Sequence, residues 1–227
     1  MSTSYLVPAG DGEAVLEVRR SRFLATVRRT ASEDEARAVV DGLRRRHPDA
    51  RHHCSALALG PWGASGSVQR ASDDGEPAGT AGAPVLDVLR GREVGDVTLV
   101  VSRWFGGVLL GAGGLVRAYG DAARAGVEAA GLRRRSRLVE LELAVDHGAA
   151  GRLESDLRSR GVAVLDAGYG AGVVLRVGVP DDEVATLERL VGESSAGAVR
   201  PVVVGESWVD GPVERAAGQP ASTSPST

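Results

Sequence analysis

The first part of the chain holds short apolar runs of strand length and longer stretches with helical spacing. Ala14 to Val18 and Arg22 to Val27 are short, mostly apolar runs and predict an antiparallel pair of short strands. Ser32, with Glu35 three residues on, is a capping box. Ala36, Val39, Val40 and Leu43 then fall at i, i+3, i+4 and i+7 and predict a helix. Arg44, Arg45 and Arg46 suit its C-terminal end, where the dipole favours cations, and Pro48 stops it. His53 to Leu59 and Val68 to Ala71 predict two more strands, the second leading into a turn at Ser72 to Glu76. Thr80 to Leu89 predicts a helix with Pro84 early in it. Val97 to Val101 is almost continuously aliphatic, as in a strand buried on both faces. A long helix follows over Gly113 to Ala130 and ends at Gly131. The order β-β-α-β-β-α-β-α over residues 1–132 predicts an α+β domain, a layer of helices on a mixed sheet.

A second pattern starts after the charged joint Arg133-Arg134-Arg135-Ser136. Leu138 to Val145 reads as a strand, and Asp146 can cap a helix carrying Ala150, Leu153 and Leu157. Val162 to Leu165 and Val173 to Val179 form strands around a Gly-rich turn. A second helix carries Val184, Leu187, Leu190 and Val191, and Val199 to Val209 is the last strand. Residues 136–210 thus predict β-α-β-β-α-β, the ferredoxin-like arrangement. Residues 211–227 are rich in Pro, Gly, Ser and Thr and are expected to be a disordered tail.

Charge divides in the same place. All 27 basic residues are Arg. Residues 1–135 carry 19 Arg against 16 acidic residues, and residues 136–210 carry 7 against 13. A phosphate-bearing partner is therefore expected to meet the first domain. No apolar run is long enough to span a bilayer, and the N-terminal residues lack the basic and apolar regions of a signal peptide. The single cysteine, Cys54, cannot form an internal disulfide. A cytoplasmic protein with no membrane partner is expected.

Val97 to Tyr119 concentrates the candidate chemistry. The strand runs into Arg103, Trp104 and Phe105, then a loop with Gly106, Gly107, Gly111, Gly113 and Gly114, then the helix bearing Arg117 and Tyr119. Converging backbone N–H groups and a helix N-terminus can cradle an anion. Such a turn can equally serve only to pack the helix closely on the sheet. The loop has neither the Walker lysine nor the dinucleotide spacing. A second acidic turn holds Asp73, Asp74, Gly75 and Glu76. Its carboxylates can do acid–base work, hold Mg²⁺ beside a phosphate, or cap nearby N–H groups. His52, His53 and Cys54 lie on a strand that alternates faces, so they do not converge on one metal, and neither a metal nor a cofactor is expected.

Three stretches together, His52-His53-Cys54, then D-D-G-E-P-x-G-T-A-G-x-P from Asp73, then R-x-F-G-G-x-x-L-G-x-G-G-L-x-R-A-Y from Arg103, resemble the YigZ/IMPACT family. The likeness covers Ser21 to about Ala130, with Ala78 where many members carry Ser and Trp104 where many carry Tyr. It implies a first domain with a left-handed βαβ crossover, similar to ribosomal-protein, GHMP-kinase and elongation-factor domains. It also implies an elongation-factor-like second domain. For function it implies a translation-linked regulator that binds RNA, the ribosome or a translation factor, with no catalytic residue. Two other readings stay open: an enzyme acting on a phosphorylated small molecule at the glycine loop, and a protein-interaction module docking through the acidic second domain. Under the first reading the glycine loop, Arg103, Arg117 and Tyr119 form a binding site faced by Asp73, Asp74, Gly75 and Glu76. Arg103→Ala is then expected to remove binding with the fold near intact, and Gly113→Val to damage both.

Overall fold

The computed structural model describes residues 3–214. The chain forms two compact units, one built from residues up to Arg135 together with those from Gly211, the other from Ser136–Asp210.

The first unit contains β1 (Ser4–Pro8), β2 (Gly12–Val18), β3 (Ser21–Arg29), α1 (Glu33–Arg46), β4 (His52–Leu59), β5 (Val68–Ser72), α2 (Gly82–Gly91), β6 (Val97–Trp104) and α3 (Ala112–Ala130). Its main sheet has the order β2-β3-β6-β4-β5. Every neighbouring pair in it is antiparallel, where the sequence pattern predicts a mixed sheet. The reason is topological. β3 and β4 run parallel, joined by α1, but β6 enters between them in the opposite direction. This β3-α1-β4 crossover is the unit for which a left-handed path is implied.

β6 is the central strand and is buried from Val97 to Arg103, as its unbroken apolar run requires. On one face Phe23, Cys54, Leu99 and Val101 pack against Val85 and Leu89 of α2 and Leu115, Tyr119 and Val127 of α3. Each Val or Leu fully buried here contributes about 1.5–3 kcal/mol. α1 packs over β4 and β6 on the other face. That face is more polar, and most of its polar side chains pair: Thr30 and Thr98 hydroxyls lie 2.8 Å apart and His53 Nδ1 lies 2.8 Å from Ser102 Oγ, whereas the buried Thr26 hydroxyl has no partner. Ser32 caps α1 as its spacing predicts, its hydroxyl accepting from the Glu35 N–H while the Glu35 carboxylate accepts from the Ala31 N–H.

The β2–β3 hairpin closes through two residues, Arg19 and Arg20, because Val18 pairs with Ser21. Their φ angles are +46° and +67°. A tight hairpin of this kind favours Asn-Gly, since both positions are left-handed. Side chains with a Cβ pay about 1–2 kcal/mol each for that conformation.

The second unit takes up the chain within β7 (Leu132–Val145) and continues with α4 (His147–Ser159), β8 (Ala163–Tyr169), β9 (Val173–Val179), α5 (Val184–Ser194) and β10 (Val202–Glu214). Its strand order is β10-β7-β9-β8, the ferredoxin-like order. Leu141, Leu143, Leu175 and Val177 form its core with Leu153 and Leu157 of α4 and Leu187 and Val191 of α5.

Three elements differ from the sequence pattern. β1 is not predicted at all, because five residues ending in Pro8 give a weak strand signal. β7 starts at Leu132, so the charged joint is itself extended strand. β10 runs to Glu214, so residues 211–214, expected in the tail, are strand, and residues 215–227 lie outside the described residues. Among the described residues no helix is long and apolar enough to cross a membrane.

Candidate functional site

The acidic turn follows β5 and folds against the start of β4. Asp73 leaves little carboxylate free: Oδ1 accepts from the Ala81 and Gly82 N–H groups at 3.0 and 2.8 Å, and Oδ2 from Gly79 at 2.8 Å. Burial pushes its carboxyl up, but the N–H groups of Gly79, Gly82 and Ala81 outweigh that and hold it below the usual value of 3.8. α2 has no side-chain cap of its own, so Asp73 supplies one from outside the helix. Asp74, at φ +43°, pairs with Arg44 at 2.7 Å and accepts from the His53 N–H at 2.6 Å. Its carbonyl lies 2.8 Å from His52 Nδ1.

Glu76 turns inward and its side chain is only 4% exposed. Its Oε1 accepts from Arg103 Nη1 at 2.5 Å and from the Tyr119 hydroxyl at 2.8 Å. Arg103 comes from the end of β6 and Tyr119 from α3, so one buried carboxylate ties the acidic turn to both sides of the glycine loop. Arg103 is itself 6% exposed, a buried position that goes against the expectation that Arg103→Ala leaves the fold near intact. Its guanidinium lies 5.5 Å from the Phe23 ring and 5.7 Å from the Phe105 ring. The Arg103 Nε is buried with no hydrogen-bond partner.

Cys54 packs beneath this network. Its thiol donates to the Asp73 carbonyl at 3.0 Å and lies 3.3 Å from the Tyr119 oxygen. Burial pushes the thiol up to about 12, reinforced by the negative charges of Glu76, Asp74 and Asp73 against the opposing Tyr119 bond. Burial likewise raises the Tyr119 phenol far above its usual value. His52 shares Cys54's side of β4, whereas His53 points to the other and reaches Ser102. Burial lowers His53 below its usual 6.5. Among the described residues no group of three His, Cys, Asp or Glu gathers as metal ligands.

Above the Glu76–Arg103 pair lies a cleft of 410 Å³. It is lined by Arg51, His52, Gly75, Glu76, Pro77 and Arg103 together with Phe105, Leu109, Leu110, Gly111, Ala112 and Leu115. Gly111 precedes α3 at φ +73°, and that helix has neither a side-chain cap nor an acidic residue in its first turn. Phe105 is 43% and Leu109 82% exposed at the rim. A larger hollow of 1290 Å³ lies within the second unit, lined by Asp146, Arg152, Asp156, Tyr169 and Ser194, and none of the motif residues reaches it.

The remaining sequence candidates divide. Gly106 is held by close packing: a Cβ there would lie 2.1 Å from the Arg20 backbone. Gly107 has φ +83°, as an open turn residue. Gly113, expected to need its missing Cβ, sits in the first turn of α3 with open space around it and no positive φ. Gly114 would bring a Cβ within 3.0 Å of the Leu110 side chain. Arg117 is exposed on α3 and does not line the cleft. Arg44, Arg51 and Leu109 are among the residues of the site that the sequence candidates do not include. Arg44 has the pattern of a solvated helix end, and nothing in its spacing points to Asp74.

The family model for the Impact N-terminal domain matches residues 19–127, and that for a domain of unknown function, DUF1949, matches residues 143–198. IMPACT family member YigZ of Escherichia coli K12 is 37% identical over 203 residues, covering 89% of this chain and 99% of that protein. The chain belongs to the IMPACT family. IMPACT family member YvyE of Bacillus subtilis 168 is 34% identical over 197 residues, 87% of this chain and 89% of its own length. A crystal structure of a hypothetical protein matches at 36% identity with a TM-score of 0.58, over 90% of this chain and 98% of that one. The Saccharomyces cerevisiae IMPACT homolog is 36% identical over 95 residues, 41% of this chain and 36% of its length. The Impact N-terminal match runs from the Arg19 hairpin into α3 and so contains the whole network and the cleft.

Proposed function

We propose that this IMPACT-family chain is a translation-linked binding protein that meets its partner with the first unit, at the Arg103 cleft. The observation that carries the reading is the contrast between floor and rim. On the floor, Glu76 and Arg103 are committed to each other, and in the network behind them Asp73 and Asp74 are committed to internal bonds and Cys54 is held as a thiol. At the rim, Phe105 and Leu109 expose apolar surface beside Arg51. A rigid charged floor under an apolar rim suits recognition, since its side chains are locked before a partner arrives. The link to translation comes from the family resemblance, whose implied partners are RNA, the ribosome or a translation factor in the cytoplasm.

Sedimentation of the full chain with purified ribosomes, and capture of purified translation factors, tests this reading. Wild type is expected to associate with one of them and Leu109→Asp to weaken that association severalfold with an unchanged melt. No association with ribosomes, RNA or translation factors would overturn it.

One observation favours a second reading, an enzyme acting on a phosphorylated small molecule. The uncapped α3 N-terminus opens on the cleft beside Arg103. Turnover of a phosphorylated-metabolite panel, lost on Phe105→Ala, would support that reading instead.

A further inference from the structure

The β2–β3 hairpin tip lies directly against the start of the glycine loop. The Gly106 N–H donates to Ser21 Oγ at 3.2 Å, and the Arg20 backbone occupies the place of a Gly106 side chain. Arg19 and Arg20 are exposed at the tip in left-handed backbone. Arg22, the next residue but one, stacks its guanidinium 4.0 Å from the Trp104 ring centre. Beyond Trp104 comes the half-exposed Phe105 ring, and the same cleft is lined by exposed Arg51, whose backbone N–H donates to the Arg103 carbonyl at 2.9 Å. None of these four arginines is in an ion pair among the described residues. Nearby acids are fewer: Glu17 sits opposite Arg22, Asp49 accepts from Trp104 Nε1, and Glu76 is matched by Arg103.

We propose that Arg19, Arg20, Arg22 and Arg51 form a track for the phosphates of single-stranded RNA, with Phe105 as a stacking platform for a base. This names the partner within the reading above and rests on it. Alternating guanidinium groups and an accessible ring match a polynucleotide, whose phosphates and bases recur along the strand. A stacking ring needs an unpaired base, which selects single strands. The strained turn points the same way. Asn-Gly would form this hairpin more comfortably, so the paired arginines are kept against the local preference.

The test turns that preference to use. Arg19→Asn/Arg20→Gly installs the favoured turn, so the full-length variant is expected to melt at or above wild type. Binding of a labelled twelve-nucleotide oligouridylate is followed by anisotropy from about 50 to 200 mM salt. The double variant is expected to lose about tenfold in affinity. Its log–log salt slope should be shallower by about 1.4, at about 0.7 for each of the two single-strand phosphates no longer neutralised. Phe105→Ala is expected to weaken binding with the slope unchanged. A folded double variant with wild-type affinity and slope would overturn the track. So would wild type that ignores the RNA but binds a polyglutamate peptide, or a phosphate-induced rise in melting temperature with no RNA binding. If wild type ignores the RNA yet still captures a purified translation factor, the track fails while the binding-protein reading stands.

Discussion

Arg103 and Glu76 lie beneath the cleft as a nearly solvent-free ion pair, with side chains 7% and 4% exposed. Removing one member of such a pair strands the other charge, which costs about 3–5 kcal/mol. Arg103→Ala is therefore expected to lose most of that in chemical denaturation, in contrast to the neutral effect its flanking position suggests. Glu76→Gln with Arg103→Met, which strands no charge, is expected to cost clearly less than the single change. Asp73 acts by a different route. Asp73→Ala removes the acceptor for three N–H groups and is expected to cost about 1–2 kcal/mol at pH 7. Its folded pKa is lowered, so its contribution is present above the ordinary 3.8 and fades as pH falls through the folded value below that. Denaturation of wild type and variant at pH 7 and at about pH 3 should show the gap narrowing in acid. Cys54, buried and raised to about 12, is expected to resist a thiol reagent in the native state and to react once the chain unfolds.

At the scale of elements, two glycines of one loop are expected to behave oppositely. Gly106→Ala drives a methyl into the Arg20 backbone, which is not a flexible side-chain end, and should cost about 1–3 kcal/mol. Gly113→Ala enters open space in a helix and should be neutral or stabilising by up to about 1 kcal/mol. Thermal melts of the two variants separate them. The sequence shows both as members of the same glycine run, because a run records that small residues are needed without recording which neighbour requires it. Long periodic elements such as α1, β6 and α3 are legible, since their burial repeats at a fixed interval. The hairpin is legible as two strands, but the pattern starts the second at Arg22 and leaves three residues between them, where the structure closes through Arg19 and Arg20 alone. Arg-Arg is not turn chemistry, so its composition hides the left-handed backbone there. The Glu76–Arg103–Tyr119 network is legible only as a set of residues. Which acid of the turn faces inward depends on the left-handed backbone at Asp74 and Gly75, which no periodicity encodes.

At the scale of the whole molecule, β10 tests where the first unit ends. The sequence pattern stops the last strand at Val209 and leaves everything from residue 211 as tail. In the structure residues from Gly211 belong with the first unit, where Gly211 packs near the Arg134 carbonyl and Val213 near Gly131. Gly131 ends α3 at φ +63°, so Val213 covers the turn by which the chain leaves that helix. Two truncations isolate the effect. A chain ending at Glu214 keeps every described residue, and one ending at Asp210 loses only four more. If those four residues merely trail, the two chains melt together. If they close the first unit, the shorter chain melts several degrees lower. A loss of about 1 kcal/mol corresponds to roughly 2–4 °C in a protein of this size. Hydrogen exchange at α3 and the Gly131 turn locates the change. Faster exchange there in the shorter chain, with α4 and α5 unchanged, is the expected result, and equal exchange would return residues 211–214 to the tail.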